Sequence, residues 1–376
     1  MIPLSTPSLK GNEWKYVKEC LETEWVSSAG AYVDTFEKNV ADYLGARYAV
    51  ACMNGTSALH ISLLLAEVQP HDEVIVPTVT FIAPVNAVNY IGAEPLFMDC
   101  DDYCTLDIDK TKEFLETHCV VRKGVTINKK TNRRIAAVIP VHVFGIPVNM
   151  DPLLELADRY NIKIIEDATE SLGSRYKGKK TGTFGLLGCL SFNGNKIITT
   201  GGGGMVITDH EALAKRARYL TTQAKEDGME YIHNEIGLNY RMVNVLAAIG
   251  VAQLEEIDNY VALKRKNFNL YKKALSDTPL TLLDEPAYAH SNKWFYAILC
   301  RDSKEKNLML EHLKRKGVQA RPLWFLNHLQ KPYAHCQAYA IEKAPHMYDT
   351  LVNIPCSVSL TENEIMEVVK AMKEVL

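Results

Sequence analysis

Residues 191–204 read Ser-Phe-Asn-Gly-Asn-Lys-Ile-Ile-Thr-Thr-Gly-Gly-Gly-Gly and continue an apolar run that predicts a buried strand over 187–192. Lys196 is the single charged residue of this stretch, and the four glycines allow the backbone to approach a ligand closely. A lysine that loses its hydration in such a place has a lowered pKa, so its amine can attack a carbonyl group. A flexible surface loop with a solvated lysine explains this stretch alone equally well.

A carboxylate follows another predicted strand about thirty residues upstream. Residues 162–171 read Ile-Lys-Ile-Ile-Glu-Asp-Ala-Thr-Glu-Ser, so Asp167 comes directly after a strand over 162–166. In open α/β sheets, ligands bind beyond the carboxyl ends of the strands. A carboxylate that faces a pyridine nitrogen keeps this nitrogen protonated, and pyridoxal phosphate requires such a partner together with a Schiff-base lysine. An acidic residue after a strand is also a common helix N-cap.

Two further signals lie nearer the N-terminus. Residues 54–59, Asn-Gly-Thr-Ser-Ala-Leu, follow a predicted strand over 48–52 and begin an apolar helix. Backbone N–H groups at this helix start, with the hydroxyls of Thr56 and Ser57, are suited to hold a phosphate, although an ordinary N-cap gives the same pattern. Phe81 comes just after the strand over 73–77, where it is suited to stack on a flat ring or to pack in the core.

The order of these signals (phosphate cup, aromatic residue, Asp167, Lys196) is that of fold-type I pyridoxal-phosphate enzymes. More closely, the chain resembles the sugar-nucleotide aminotransferases of the DegT/DnrJ/EryC1/StrS family, nearly from end to end. The matching stretches are 25–30 (Trp-Val-Ser-Ser-Ala-Gly), 54–59, 166–168 (Glu-Asp-Ala), 191–204 and 237–242 (Gly-Leu-Asn-Tyr-Arg-Met).

The resemblance implies a pyridoxal 5'-phosphate cofactor and a set of roles for this chain. Lys196 and Asp167 are the implied catalytic residues. The implied cofactor-binding residues are Lys196, Asp167, Gly55, Thr56, Ser57, Phe81, Glu170, Ser191 and Asn239. Asn239 is expected to reach the cofactor phosphate of the neighbouring subunit, so the resemblance implies a homodimer with shared active sites. Ser27, Arg321 and His328 are expected near the substrate.

The implied reaction is ping-pong transamination, with L-glutamate as the amino donor and the 4-keto group of a nucleotide-linked 6-deoxyhexose as the acceptor. The first interpretation is a UDP- or GDP-linked 2-acetamido-4-keto-2,6-dideoxyhexose. Family members implicated in making legionaminic acid look closer to this chain in the wording of 192–196 and in the connection over 120–135, which is often shorter in perosamine-synthase-like members. The second is GDP-4-keto-6-deoxymannose, the substrate of perosamine synthases. The third is a binding or regulatory protein that kept the fold without turnover.

Composition limits the remaining possibilities. The 376 residues are 47% apolar and 23% charged, as in a soluble globular protein, and the net charge of −3 argues against general nucleic-acid binding. No apolar run approaches bilayer length and the N-terminus has no secretion signal, which predicts a cytoplasmic protein without a membrane segment. The nine cysteines are expected to be reduced thiols. Cys100 and Cys104 have no second pair to complete a zinc site, so no metal is expected.

Strands and helices alternate from residue 48 to residue 207. The strands predicted near 48–52, 73–77, 95–99, 136–141, 162–166, 187–192 and 204–208 indicate an α/β fold with a mostly parallel, seven-stranded sheet. We expect a large cofactor-binding domain over 1–255, with the N-terminal segment free to pack on the smaller α/β domain over 256–376.

Residues 120–135 interrupt this alternation. They contain six basic residues and predict a hairpin of polar strands with its turn at 129–132. A solvated insertion at the edge of the sheet is the favoured interpretation. The alternative is that its charge attracts an anionic nucleotide diphosphate.

Overall fold

The structure, a computed structural model, describes residues 1–227 and 229–376. The α-helices are α1 Glu13–Glu22, α2 Ala31–Leu44, α3 Gly55–Leu65, α4 Ala83–Tyr90, α5 Ile108–His118, α6 Met150–Arg159, α7 Glu211–Thr221, α8 Asn244–Glu255, α9 Ile257–Ala274, α10 Ser303–Arg315, α11 Lys343–Thr350 and α12 Glu362–Lys373. The strands are β1 Tyr48–Cys52, β2 Glu73–Pro77, β3 Glu94–Met98, β4 Cys119–Arg122, β5 Val125–Asn128, β6 Ile135–Val138, β7 Lys163–Asp167, β8 Arg175–Tyr176, β9 Lys179–Lys180, β10 Leu187–Ser191, β11 Gly204–Thr208, β12 Thr281–Leu282, β13 Ala289–His290, β14 Tyr296–Leu299, β15 Arg321–Pro322, β16 Ala338–Tyr339 and β17 Leu351–Ile354.

The large sheet has the strand order β1-β11-β10-β7-β6-β2-β3-β16. Within the described sheet, β11 runs opposite to the other seven strands, which all share one direction, and this confirms the predicted mostly parallel α/β architecture. The carboxyl ends of β1, β2, β7 and β10 therefore meet along one edge. The predicted number of strands was wrong by one, because β16 pairs with β3. A two-residue strand leaves no period in the sequence, and here it covers what would otherwise be the exposed edge of the sheet.

A second, antiparallel sheet with the order β12-β14-β17-β15 lies in the C-terminal third. Its core also contains Ile2, and the N–H of Cys356 donates to the carbonyl of Leu4 at 2.8 Å, so the N-terminal segment packs on this part. We propose that residues 1–255 and 256–376 form the two domains. The first residues of the chain and β16 then cross between them.

The basic insertion forms the hairpin β4–β5, but its turn is at Lys123 and Gly124 rather than at 129–132. Both turn residues have positive φ, 50° and 76°, as the tight turn of a right-twisted hairpin requires. Arg133 pairs with Glu94, and Arg134 pairs with Asp72, at the amino ends of β3 and β2.

The insertion therefore lies at the opposite edge of the sheet from the carboxyl ends of the strands, and two of its charges are neutralised there. This position gives no support to the hypothesis that the insertion attracts a nucleotide diphosphate.

No helix in residues 1–227 and 229–376 is both long and apolar enough to cross a membrane. Within the same residues, no group of three potential metal-binding side chains comes together. The nine cysteines are all free thiols, and eight of them are buried.

Candidate active site

A cleft of about 250 Å³ opens at the carboxyl edge of the large sheet. It brings together residues that are far apart in the sequence but follow neighbouring strands. Of the residues predicted for the site, those lining the cleft are Gly55, Thr56, Phe81, Asp167, Glu170, Ser191 and Lys196.

One end of the cleft is formed by the start of α3. The side-chain oxygen of Asn54, the N-cap, accepts hydrogen bonds from the N–H and the hydroxyl of Ser57 at 2.8 and 3.0 Å. The N–H groups of Gly55 and Thr56 donate to no other described residue. Free N–H groups at a helix N-terminus form a site for an anion such as phosphate.

Gly55 and Ser57, both predicted to bind the cofactor phosphate, differ in how they lie relative to this anion site. A Cβ atom on Gly55 would lie 2.9 Å from Cβ of Ser191, so glycine is needed for this close approach. Ser57 was expected to contact the phosphate through its hydroxyl, and the structure gives this hydroxyl another partner. Its hydroxyl donates to Asn54 and its side chain does not line the cleft, so Ser57 lies at the helix start rather than at the anion site.

Asp167 ends β7 at the floor of the cleft and is only 2% exposed. One of its carboxylate oxygens accepts a hydrogen bond from the N–H of Thr169 at 3.1 Å. Burial raises the pKa of Asp167, while the hydrogen bonds with Thr169 and the charge of Lys196 act against this rise. A buried carboxylate of this kind is best satisfied by a cationic partner, such as a protonated ring nitrogen.

Lys196 lies in the loop between β10 and β11, and its side chain is 13% exposed. This excludes the solvated surface lysine that the stretch alone also allowed. Its Nζ atom lies 3.9 Å from Oε1 of Glu170 and 4.2 Å from the ring centroid of Trp294. Burial lowers the pKa of Lys196, and the charges of Glu170 and Asp167 oppose this effect. The amine therefore carries a proton less firmly than a surface lysine does.

Glu170 faces Lys196 with one carboxylate oxygen and is held by the other. Its Oε2 atom accepts a hydrogen bond from the N–H of Phe144 at 2.8 Å. Phe144 has a φ of 56°, a left-handed backbone conformation that non-glycine residues rarely adopt. Burial raises the pKa of Glu170 to about 7, against the opposing charge of Lys196. The pKa values of Glu170 and Lys196 are therefore shifted toward each other by burial.

Behind Asp167 lies a buried hydrogen-bond network that the sequence did not predict. His142 Nδ1 accepts from the N–H of Val148 at 3.1 Å, so Nε2–H donates to Glu166 at 3.0 Å. The N–H groups of Gly182 and Gly185 donate to the same carboxylate at 2.8 and 2.7 Å. Although burial acts to raise the pKa of Glu166, the His142 and backbone hydrogen bonds hold it below its ordinary value. The network fixes the end of β7, from which Asp167 projects.

The wall opposite the sheet is aromatic and comes from the C-terminal part of the chain. Trp294, Phe295 and Trp324 line the cleft, and the rings of Trp324 and Phe144 lie 5.2 Å apart. Sequence reasoning missed Trp294 and Phe295. The only signal available was the apolar run over 294–300, which indicates a strand but not a site.

Three predicted substrate residues lie outside the cleft. Ser27 is exposed, and its carbonyl accepts from the N–H of Asn244 at 2.7 Å. Arg321 is exposed on β15. His328 is half-buried, with Nδ1 2.7 Å from the hydroxyl oxygen of Thr78, and burial lowers its pKa.

Asn239 is exposed and also lies outside the cleft of its own chain. The carbonyl of the next residue, Tyr240, accepts from the N–H of Met53 at 2.8 Å. Asn239 is therefore near the start of α3 but does not line the anion site there.

The sheet topology and the placement of a buried lysine, a buried carboxylate and an anion site along one edge define the class of fold-type I pyridoxal-phosphate enzymes. The sequence model of the DegT/DnrJ/EryC1/StrS aminotransferase family matches residues 7–373, and the chain belongs to this family. The third interpretation, a protein without turnover, is thereby replaced by an aminotransferase.

Individual relatives agree with this assignment. The chain is 37% identical to the GDP-perosamine synthase of Caulobacter vibrioides, with 100% of this chain and 98% of that protein covered. It is also 37% identical to the GDP-perosamine synthase of Escherichia coli O157:H7, with 99% and 98% covered. Among solved structures, the aminotransferase TlmJ from Streptoalloteichus hindustanus is similar, with a TM-score of 0.90, 26% identity, and 100% and 98% of the two chains covered.

Enzymes of this family depend on pyridoxal 5'-phosphate. The cleft fits this cofactor, because free N–H groups suited to a phosphate lie at one end and a buried carboxylate suited to a pyridine nitrogen lies at its floor. Phe81, 55% exposed at the cleft, offers an aromatic face for the ring.

Proposed function

We propose that this protein transfers the amino group of L-glutamate to the 4-keto carbon of GDP-4-keto-6-deoxymannose. The observation that carries the proposal is the full-length similarity, at 37% identity, to two proteins named GDP-perosamine synthase. A third protein of this name, from Vibrio cholerae, is 32% identical over 99% of this chain.

The relatives favour this substrate over the first interpretation of the sequence. That interpretation, a UDP- or GDP-linked 2-acetamido-4-keto-2,6-dideoxyhexose of the legionaminic acid type, rested on the connection over residues 120–135 and on the wording of residues 192–196. These two segments carry less information about the substrate than a match over the whole chain. We keep the 2-acetamido sugar as the competing substrate in the experiment.

The cofactor supplies an aldehyde that accepts the donor's amino group, and a ring that takes up the electrons of the broken C–H bond. We assign the catalytic work of the chain to two residues. Lys196 would hold the cofactor through its amine and, when not bonded to it, would carry a proton as a positioned general acid and base. Asp167 keeps the ring nitrogen protonated. The support for these roles is burial, since it lowers the pKa of Lys196 and leaves Asp167 in need of a cation.

The remaining assignments follow the layout of the cleft. Gly55, Thr56 and Ser191 hold the phosphate, with Ser57 supporting the helix start, and Phe81 stacks on the ring. Glu170 lies near the phenolic oxygen of the ring, where its raised pKa lets it donate a proton at neutral pH.

We further propose a cytoplasmic homodimer. In it, Asn239 of each subunit reaches the cofactor phosphate of the other, and its exposed position close to the start of α3 supports this role. Ser27, Arg321 and His328 belong to the region around the sugar nucleotide rather than to the cofactor cleft.

The proposal is tested by incubating the purified protein with pyridoxal phosphate, L-glutamate and a panel of 4-keto nucleotide sugars. We expect mass spectrometry to detect the amino product from GDP-4-keto-6-deoxymannose, and a visible absorption band that disappears when glutamate is added. Product only from a 2-acetamido-4-keto sugar would restore the first interpretation. The Lys196→Ala variant should lose both the band and the product, and the Lys130→Ala variant, altered in the distant insertion, should keep both.

A further inference from the structure

Two residues, Glu170 and Trp294, face the side-chain amine of Lys196 from different sides. Glu170 follows a strand of the large sheet, whereas Trp294 comes from the C-terminal part of the chain. On the sheet side, Oε1 of Glu170 lies 3.9 Å from Nζ. On the other side, the ring of Trp294 lies over Nζ, with 4.2 Å between Nζ and the ring centroid. An ammonium group within about 6 Å of the face of an indole ring is stabilised by the negative charge density of that face.

Trp294 also holds the backbone next to Lys196. Its indole N–H donates to the carbonyl of Asn195 at 2.6 Å, and its side chain is 3% exposed. Trp294 therefore holds the backbone from which the Lys196 side chain starts, and its ring also contacts the amine at the end of that side chain.

Asn292 sets the position of Trp294. It is fully buried, its side-chain oxygen accepts from the N–H of Trp294 at 2.8 Å, and its side-chain nitrogen donates to the carbonyls of Glu170 and Leu172, each at 2.9 Å. The segment before β14 is thus attached to the backbone of the residue that faces Lys196 from the sheet. A Cβ atom on Gly145 would lie 1.9 Å from Oδ1 of Asn292, so a glycine there leaves room for this attachment.

We propose that Trp294 is a positioning residue for Lys196, whose ring face holds the lysine amine beside Glu170 while its indole N–H holds the Asn195 carbonyl. The inference rests on the proposed role of Lys196 in the reaction. A lysine in this role would have to move protons within the cleft while it is not bonded to the cofactor. A lysine side chain has four rotatable bonds, so its amine needs contacts that keep it in one position. Trp294 and Glu170 contact the amine from two sides and supply these contacts.

The direction of the electrostatic effect distinguishes this role from simple packing. Burial lowers the pKa of Lys196. The ring face favours the ammonium form and acts against burial, so removing the ring while keeping an apolar side chain should lower the pKa of Lys196 further. From the usual strength of such contacts, the Trp294→Leu variant should show a decrease of about one unit. The Trp294→Phe variant, with a weaker ring face, should show a smaller decrease.

The experiment measures Lys196 directly in the full chain freed of cofactor. The protein is labelled with trace acetic anhydride over a series of pH values, and mass spectrometry of the Lys196 peptide gives the midpoint of amine ionisation. Trp14→Leu, which removes an indole that is 80% exposed on α1, is the matched control and should leave the midpoint unchanged.

A downward shift in Trp294→Leu that is smaller in Trp294→Phe supports the proposal. A midpoint that stays in place or moves upward in Trp294→Leu overturns it, because the ring would then only exclude water. If Trp294→Leu does not fold, Trp294→Phe and Trp294→Tyr decide the question by the same midpoint. The labelling requires no catalysis, so its result stands apart from the test of the proposed function, which the Lys196→Ala variant and the substrate panel address.

Discussion

Oε1 of Glu170 lies 3.9 Å from Nζ of Lys196, and the two side chains are 3% and 13% exposed. Burial makes both groups harder to ionise, whereas the charge of each favours the charged form of the other. Burial has the larger effect, so the pKa of Glu170 is raised and the pKa of Lys196 is lowered. The raised pKa of Glu170 makes the stability of the folded protein depend on pH, which can be measured without any substrate.

We expect the stability of the cofactor-free Glu170→Gln variant to fall less than that of the wild type as the pH rises from 4.5 to about 7. The pKa of Glu170 rises from 4.5 to about 7 on folding, so the folded state binds an extra proton between these values. Wild-type stability therefore falls as the pH rises through this window, by on the order of 3 kcal/mol from this group. Gln does not titrate, so the variant lacks this decrease. Urea unfolding at a series of pH values measures the difference.

Glu155→Gln, an exposed change on α6, is the control for that measurement and should leave the pH dependence unaltered. Parallel curves for the wild type and Glu170→Gln between these pH values would show that Glu170 ionises normally.

We expect Glu166→Gln to behave in the opposite way. The His142 and backbone hydrogen bonds hold the pKa of Glu166 below its ordinary value, so it contributes stability above pH 4.5 that is lost as the pH falls through its folded-state pKa. A glutamine places an NH₂ group where backbone N–H groups need an acceptor, at a cost of about 1–3 kcal/mol at neutral pH. The same urea series should show the variant as less stable at pH 7, with the difference shrinking at acid pH.

Gly55→Ala should weaken cofactor binding by about tenfold or more. The new Cβ atom would lie 2.9 Å from Cβ of Ser191 and push apart the two elements that form the anion site. Forced contacts of this kind typically cost about 1–3 kcal/mol, and 1.4 kcal/mol corresponds to a factor of ten in affinity. Titration of the cofactor-free protein with pyridoxal phosphate measures the change. Gly194→Ala, whose Cβ would meet no described atom within 4 Å, should bind as the wild type does.

Most of the large sheet was predictable because its strands are short, continuous apolar runs separated by helical periods. The site residues that follow these strands in sequence, Lys196, Asp167, Thr56 and Phe81, could be named for the same reason. A strand end is recognisable in sequence, and the topology brings strand ends together.

The features that sequence reasoning missed depend on contacts between distant segments. His142 and Glu166 are separated by 24 residues and meet only because β6 and β7 are neighbours in the sheet. Trp294 reaches Lys196 from nearly a hundred residues away through Asn292. The turn of the β4–β5 hairpin was misplaced because Lys123-Gly124 and the polar stretch over 129–132 are both acceptable turns, and pairing of the strands decides between them.

Arg134→Ala should lower stability without changing KM for the nucleotide sugar. The Arg134 side chain donates to Asp72 at 3.0 Å through Nε and to the carbonyl of Glu67 at 2.8 Å, at the edge of the sheet opposite the cleft. Because the guanidinium is about one-third exposed, we expect a loss of only about 1 kcal/mol in the free energy of unfolding. Lys130→Ala, on an exposed residue of the same insertion, should change neither quantity. A several-fold rise in KM in either variant, with the stability of the folded protein unchanged, would show that the insertion contributes to binding of the nucleotide. The purely structural role inferred from its ion pairs at the amino ends of β2 and β3 would then be wrong.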